Sequence, residues 1–356
     1  MHIGYAFNGY LSDLKLDENG VIASTPDGNA TYSWAIIREL QRNFNKVYRL
    51  MPNLDKYAEE NDQMLFTFAA EERKKMMKKL RNVDVFNENL PKLDLVILEW
   101  RWPIPGKNTS NDINKEGYSL DLKIQELILN MYKGKVIVLD LDYKMSVQDI
   151  LDERILAVFE LGYKNTDMKK VHHVEIPFDF REMKLDFVEN PITDLIYIGN
   201  RYERDNSVDE WLNPLAKIGY KVSCFGNWKE KGRDSEKRWP DICFGNRLQV
   251  KDFHIAYENS RCTILLAKDE YYKYGFMTAR ILESILFGCI PIGLRKHKRI
   301  EKYLPDNLIV EDVSEVIEII NMAKDNKWRE RQIRSLRQRL SFMDSKFFYN
   351  KLKIFM

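Results

Sequence analysis

Five histidines and four cysteines in 356 residues leave little material for a metal centre or a disulfide framework. Cys224, Cys243, Cys262 and Cys289 are widely spaced, no CxxC occurs, and three of the four sit in apolar runs, so reduced core thiols are expected. His2, His172, His173, His254 and His297 show no metal-ligand spacing, and the adjacent pair would point to opposite faces of a strand. No GxSxG, no HExxH and no GxxxxGK followed by Ser or Thr is present, which argues against a serine hydrolase, a zinc protease, a P-loop nucleotidase and a kinase. The full GxGxxG fingerprint is missing as well. No run reaches the roughly eighteen continuous apolar residues of a membrane span. The opening Met-His-Ile-Gly-Tyr-Ala-Phe reads as a strand rather than a signal peptide, so a soluble, cytoplasmic protein is expected. Internal repeats and low-complexity tracts are absent too.

What is present is globular. Hydrophobic residues make up 44% and aromatics 12%, enough for sizeable cores, and the 31% of charged residues are mixed in sign rather than blocked into tails. The length suggests about two domains. Strand-like runs are read at 2–7, 46–51, 93–99, 135–141, 173–176, 194–198, 221–225, 262–267 and 290–292. Helical periods lie among them at 32–43, 120–131, 208–217 and 279–287. Repeated β-α-β with buried, branched strands predicts parallel sheets covered by helices on both faces. The pattern restarts at Asp194-Leu-Ile-Tyr-Ile-Gly199, after a polar segment containing proline. An α/β protein of two Rossmann-like, doubly wound domains facing a cleft is therefore expected, with a hinge at about 178–192 and ligand at the carboxyl ends of the strands. The boundaries are 1–185 for the first domain and 186–339 for the second, with a C-terminal helix in 340–356 rejoining the first. The segment 108–117, rich in Asn, Ser, Thr and Lys, reads as a mobile loop.

Three constellations could carry chemistry. The first is Tyr272-Lys-Tyr-Gly-Phe-Met-Thr278-Ala-Arg280-Ile-Leu-Glu283, a loop feeding a helix that ends at Gly288 before a short apolar strand. Arg280 and Glu283, three positions apart on one helical face, suit a diphosphate and the hydroxyls of a ribose, as a nucleotide-sugar enzyme needs; an intrahelical ion pair is the plainer alternative. The second is the glycine turn Gly199-Asn200-Arg201-Tyr-Glu-Arg204 after a strand, where backbone N–H groups and two arginines could receive an anion. The third lies in the first domain. Leu139-Asp140-Leu-Asp142-Tyr-Lys144 closes a strand with a carboxylate that could act as general base, and the residues alone do not separate Asp142 from Asp140. Glu99-Trp100-Arg101-Trp102-Pro-Ile-Pro-Gly-Lys107 interleaves aromatic rings and cations, suited to base stacking, to sugar stacking, or to a hydrophobic loop tucked on the domain. Basic clusters at Lys74, Lys75, Lys78, Lys79 and Arg81, at Arg295, Lys296, Lys298 and Arg299, and at 329–339 read as solvated helix faces or as contacts for a polyanion.

Over most of its length the chain resembles, distantly, the β-glucosyltransferases of T-even bacteriophages, which glucosylate 5-hydroxymethylcytosine in duplex DNA. The resemblance is densest from Tyr272 to Gly293, where Tyr272, Thr278, Arg280 and Glu283 fall on the family's tyrosine and its Thr-x-Arg-x-x-Glu. It extends to Leu-Ile-Tyr-Ile-Gly199 and to Gly219-Tyr-Lys-Val-Ser-Cys-Phe225-Gly226-Asn227. It implies a GT-B fold, inversion at the anomeric carbon, and a UDP-sugar donor, UDP-glucose in the first instance. Arg280 would meet the diphosphate and Glu283 the ribose, in a pocket with Gly199, Asn200, Arg201, Arg204, Phe225, Gly226 and Tyr272. The family's catalytic aspartate, in Lys-x-x-x-Leu-x-x-Asp, falls on Asp142. Trp100, Arg101, Trp102, Lys107 and Lys144 would face the acceptor, although residues 100–107 differ almost completely from the family's DNA-contacting loop. Arg201 and Arg204 are three apart where the family's arginines are four apart. Mg or Mn is an implied metal without assigned protein ligands. The implied partners are duplex DNA bearing hydroxymethylated pyrimidines and the donor, with no membrane and a monomeric chain, in the host cytoplasm if phage-encoded.

Overall fold

The computed structural model describes residues 1–6, 15–16, 22–23, 29–43, 46–51, 81–85, 87–100, 125–180, 187–229, 234–246, 248 and 250–356. The chain divides into two compact units, Met1–Asp179 with Met343–Met356, and Phe180–Phe342.

The first unit holds β1 (His2–Ala6), a small antiparallel pair β2 (Lys15–Leu16) and β3 (Ile22–Ala23), then β4 (Lys46–Met51), β5 (Arg81–Asp84), β6 (Leu95–Trp100), β7 (Val136–Asp140), β8 (Ile155–Glu160) and β9 (Val171–His173). Its main sheet runs β5-β4-β1-β6-β7-β8-β9, and every neighbouring pair is parallel. The central strands β6 and β7 are buried along their whole length, as a parallel sheet covered on both faces requires. The C-terminal helix Ser345–Leu352 returns to this unit. The Phe178 N–H donates to the Met343 carbonyl at 2.8 Å, the Ser345 N–H donates to the Phe178 carbonyl at 2.7 Å, and Phe348 packs edge-on against Phe159.

The second unit restarts the same plan with β10 (Thr193–Ile198), β11 (Val222–Phe225), β12 (Cys243–Gly245), β13 (Ser260–Ile264), β14 (Ile290–Leu294) and β15 (Ile309–Val310). Its order is β12-β11-β10-β13-β14-β15, again all parallel. Both sheets therefore have the doubly wound order in which the winding reverses beside the first strand: between β1 and β6 in one unit, between β10 and β13 in the other. The helix after β10 contains a π turn, Val208–Leu212, followed by Asn213 and Pro214. Proline has no N–H to give the carbonyl four residues back, and in the turn before it the Asn213 N–H bonds the Val208 carbonyl, five residues back.

The strand expected at 173–176 lies at Val171–His173, and outside the small β2-β3 pair, itself not expected, four strands of the two main sheets, β5, β8, β12 and β15, were not anticipated. Three of these four are short edge or near-edge strands with too few residues for an alternation to register. The fourth, Ile-Leu-Ala-Val-Phe-Glu160, is a continuous apolar run that does not by itself distinguish strand from buried helix. Among the described residues no helix is long and apolar enough to cross a membrane.

Candidate active-site residues in the two units

In the second unit the carboxyl ends of β10 and β13 flank the point where the winding reverses, the usual ligand position in such a sheet. Arg280, the first residue of helix Arg280–Leu286, spans that point: its Nε donates to the Ile198 carbonyl and its Nη1 to the Leu266 carbonyl, both at 2.8 Å. Its guanidinium lies over the Tyr197 ring, 4.9 Å from the centroid. A side chain at Gly199 would put its Cβ 2.6 Å from the Tyr197 hydroxyl and 3.0 Å from Arg280 Nη2, so glycine keeps this space open. Gly226 is needed for a different reason. With φ +152°, a Cβ there would sit 2.2 Å from the Gly199 carbonyl oxygen. The turns after β10 and β11 are thereby pressed together and stitched by hydrogen bonds. Gly199 N–H donates to the Phe225 carbonyl at 2.8 Å, Trp228 Nε1 to the Gly199 carbonyl at 2.8 Å, and Arg201 N–H to Asn227 Oδ1 at 2.7 Å. The Phe225 ring covers Gly245, its in-register neighbour on β12, leaving no room there for a side chain.

These bonds occupy two of the turn N–H groups expected to meet an anion, so the positive charge at the site comes from side chains. Arg204, only 7% exposed, donates from Nε to the Tyr197 hydroxyl at 3.3 Å and from Nη1 to the Tyr202 carbonyl at 3.0 Å, with no carboxylate partner among the described residues. Tyr272 is drawn into the same cluster. Its hydroxyl accepts the Ala267 N–H at 2.8 Å, and burial pushes it up to about 12 against the opposing pull of that bond, Arg204 and Arg280. Arg201 is placed differently. Its Nε and Nη2 both contact Asp205 at 2.7 Å, its Nη1 contacts Asp234 at 2.7 Å, and its guanidinium lies over Trp239. The two arginines paired in the sequence thus separate into one free of carboxylates and one held by two. Asn200 is exposed at the turn and Phe225 is half-buried. Glu283 is 7% exposed with no hydrogen-bond partner among the described residues, and burial pushes its carboxyl up to about 7 while Arg280 pulls the other way.

Sequence reasoning missed Tyr197 as a site residue, although it stands in the quoted strand; its ring and hydroxyl join Arg280 to Arg204. It also missed the 690 Å³ depression lined by Arg201, Tyr202, Glu203, Asp205, Asn206, Asp234 and Asp269. No local signal brings Asp234 to Arg201 across 33 positions.

In the first unit the structure separates Asp140 from Asp142. Asp140 ends β7, is 1% exposed and accepts the backbone N–H groups of Lys144 at 2.8 Å and Met145 at 3.1 Å. Asp142 is half-buried on the turn beyond the strand, and Lys144 is half-buried two residues on. Trp100 requires a correction. It is fully buried in the core with Val96, Val136 and Val138, and is no exposed stacking platform, because β6 lies between β1 and β7 in a sheet covered on both faces. Arg101, Trp102 and Lys107 lie outside the described residues, as does the segment 108–117. Glu99, beside Trp100 and also unforeseen, accepts hydrogen bonds from the Tyr5 hydroxyl at 2.6 Å and from the Ser33 hydroxyl, at the winding reversal of this sheet. Of the basic clusters, all but Arg81 of the first lies outside the described residues. Arg295 pairs with Asp306 and Glu311, and Arg334 with Glu330.

No protein-family model and no curated protein matches this chain. Solved structures do. The DNA-modifying β-glucosyltransferase of T4 phage, with its UDP-glucose substrate, superposes with a TM-score of 0.64 at 15% identity, covering 96% of this chain and 94% of that one. The same T4 enzyme holding UDP and Mn2+ gives 0.63 at 15% identity over 97% and 96%. Sucrose-phosphate synthase from Thermosynechococcus elongatus gives 0.57 at 10% identity over 100% and 99%. At these identities the likeness establishes the fold: a two-unit α/β chain of the GT-B kind, similar to glycosyltransferases. Among the described residues no group of three or more His, Cys, Asp or Glu could hold a metal ion.

Proposed function

We propose that the chain is an inverting glycosyltransferase that moves glucose from UDP-glucose to the hydroxymethyl group of a modified pyrimidine in duplex DNA. The observation that carries this reading is the pair Arg204 and Arg280 around Tyr197 at the winding reversal of the second sheet, two cations without hydrogen-bonded carboxylates among the described residues. A uridine diphosphate placed there would find its charge opposed by both guanidinium groups. Those contacts strengthen as the glycosidic bond breaks and the diphosphate takes the electron pair, which is where they accelerate the reaction. Buried Glu283 would accept from the ribose, and Phe225 would lie against the nucleoside. In the first unit Asp142 would take the proton of the acceptor hydroxyl, and the resulting alkoxide would attack the anomeric carbon from the face opposite the leaving UDP.

The choice of acceptor is supported by the likeness to the T4 DNA-modifying enzyme over nearly its whole length. Reaching a base in a duplex requires it to leave the stack, at about a few kcal/mol, which contacts between basic residues and phosphates would offset in a salt-dependent way. Transfer of labelled glucose from UDP-glucose to duplex DNA containing hydroxymethylcytosine or hydroxymethyluracil, beside unmodified DNA, tests the whole reading. Asp142→Asn should lose transfer by at least about 10²-fold while keeping UDP affinity; retained turnover would remove Asp142 from the mechanism. Arg280→Ala should weaken UDP binding by roughly 10- to 100-fold, and unchanged binding would remove the diphosphate assignment.

The burial of Trp100 favours one alternative, a GT-B enzyme with a small-molecule or glycan acceptor, since the stacking face expected for a base is absent at that position. DNA affinity that falls steeply with salt separates the two.

A further inference from the structure

The ends of β7 and β8 carry the same device twice, side by side. Their last residues, Asp140 and Glu160, are in-register neighbours on adjacent parallel strands, and each is 1% exposed. Asp140 accepts the backbone N–H groups four and five residues on, Lys144 at 2.8 Å and Met145 at 3.1 Å. Glu160 does the same with Lys164 at 3.0 Å and Asn165 at 3.1 Å. Bonds from N–H to a carboxylate are among the stronger hydrogen bonds, and here each carboxylate closes its own turn. The two turns are also joined to each other, because Lys164 from the second lies over the ring of Tyr143 in the first, 5.3 Å from its centroid. Tyr143 has φ +56°, a backbone state that a residue with a side chain holds only where its surroundings enforce it. The residue immediately before it is Asp142.

We infer that Asp140 and Glu160, with Lys164 as their shared cation, are positioning residues that fix Asp142 from two strands at once. The inference deepens the proposed function and rests on Asp142 being the base. One stapled turn would suffice to end a strand. Two in register, bridged by a cation on the ring beside Asp142, constrain that turn from its own strand and from its neighbour. The charges that act on the pair are those of the same assembly: Lys164 and Asp142 on Asp140, and Asp140 and Lys164 on Glu160. Burial raises both carboxyls, to about 6 and about 7, and the backbone N–H bonds partly offset that rise.

The test is steady-state transfer by Asp140→Asn, Glu160→Gln, the double variant and Asp142→Asn, beside amide hydrogen exchange across 141–145 and 161–165. A base displaced by about 1 Å loses roughly 10²-fold in rate. Asp140→Asn should therefore lower kcat by about 10- to 100-fold with KM for UDP-glucose unchanged, since the donor residues belong to the other unit. Glu160→Gln should lower kcat less and speed exchange in 141–145 as well as in its own turn, and the double variant should lose less than the product of the two singles. Full kcat in Asp140→Asn beside an inactive Asp142→Asn overturns the positioning role alone. Exchange in 141–145 that ignores Glu160→Gln overturns the coupling between the turns, and this variant decides the matter if Asp140→Asn does not fold. Full turnover in Asp142→Asn, or no transfer by the unaltered chain, removes the underlying reading instead.

Discussion

Glu283 shows how a single side chain sets a pH response. Its carboxyl is carried from an ordinary 4.5 to about 7, chiefly by burial, with Arg280 opposing the rise. A carboxyl raised by folding adds stability that is fully present below about 4.5 and is lost as pH climbs through about 7. Binding carries the opposite sign. In the proposed donor site ribose hydroxyls would donate to the charged form, so UDP-glucose should bind more tightly as pH rises from below to above about 7. UDP-glucose itself changes no charge over that interval. Titration calorimetry at pH 6 and pH 8 should show affinity rising several-fold toward the higher pH in the unaltered chain and little change in Glu283→Gln. A pH-independent affinity in the unaltered chain would mean that Glu283 does not meet the ribose. The neighbouring arginines respond differently to removal. Arg204 leaves no carboxylate behind among the described residues, whereas Arg201→Ala would take Asp234 from its hydrogen-bonded partner and leave Asp205 to Arg238 alone, so its effect should fall on stability before donor affinity.

Between elements, the decisive contact is turn against turn. The carbonyl of Gly199 lies where a Cβ of residue 226 would be, 2.2 Å away, and the carbonyl is backbone that cannot rotate aside. Gly226→Ala should therefore push the turn after β11 off the turn after β10, strain its own φ by roughly 1–3 kcal/mol, and displace Trp228 from the Gly199 carbonyl. A thermal unfolding midpoint lowered by several degrees together with weakened UDP binding is expected; a variant with both unaltered would show that the turns do not depend on this approach. How much of this was legible in the sequence depended on distance along the chain. Arg280, Glu283 and Tyr272 stand within one continuous segment, and a strand followed by Gly199 is a local pattern, so both could be read. The doubly wound plan and its restart at 194 were also legible, because each central strand is a buried apolar run. That Arg201 meets Asp234, or that Gly226 meets Gly199, depends on which strands become neighbours, and no local pattern carries it. Trp100 failed for a related reason: an aromatic at a strand end reads alike whether it faces a groove or a core, and the neighbours β1 and β7 decide it.

At the scale of the molecule, the chain leaves its first unit at Asp179 and returns to it at Met343, so the first unit is completed only by residues that follow the whole of the second. The returning helix Ser345–Leu352 buries Phe348 and Leu352, and places Ser345 Oγ 3.2 Å from the Glu39 carboxylate on helix Asn29–Arg42 and Lys351 Nζ 2.6 Å from the His173 carbonyl. Two buried side chains of this size are worth roughly 3–6 kcal/mol together, an upper figure because the unfolded chain already hides part of their surface. That is a large share of the stability of an ordinary domain. The second unit, Phe180–Phe342, contains Arg204, Phe225, Tyr272, Arg280 and Glu283 and none of the returning helix. A chain ended at Phe342 should therefore separate the proposed donor binding from the proposed transfer. The first unit should unfold at a markedly lower temperature or denaturant concentration and transfer should be lost, while UDP binding, measured by calorimetry below the first transition, should persist. Loss of UDP binding on truncation would show that the donor residues depend on the first unit being folded; unchanged unfolding would show that the returning helix adds no stability to the sheet it covers.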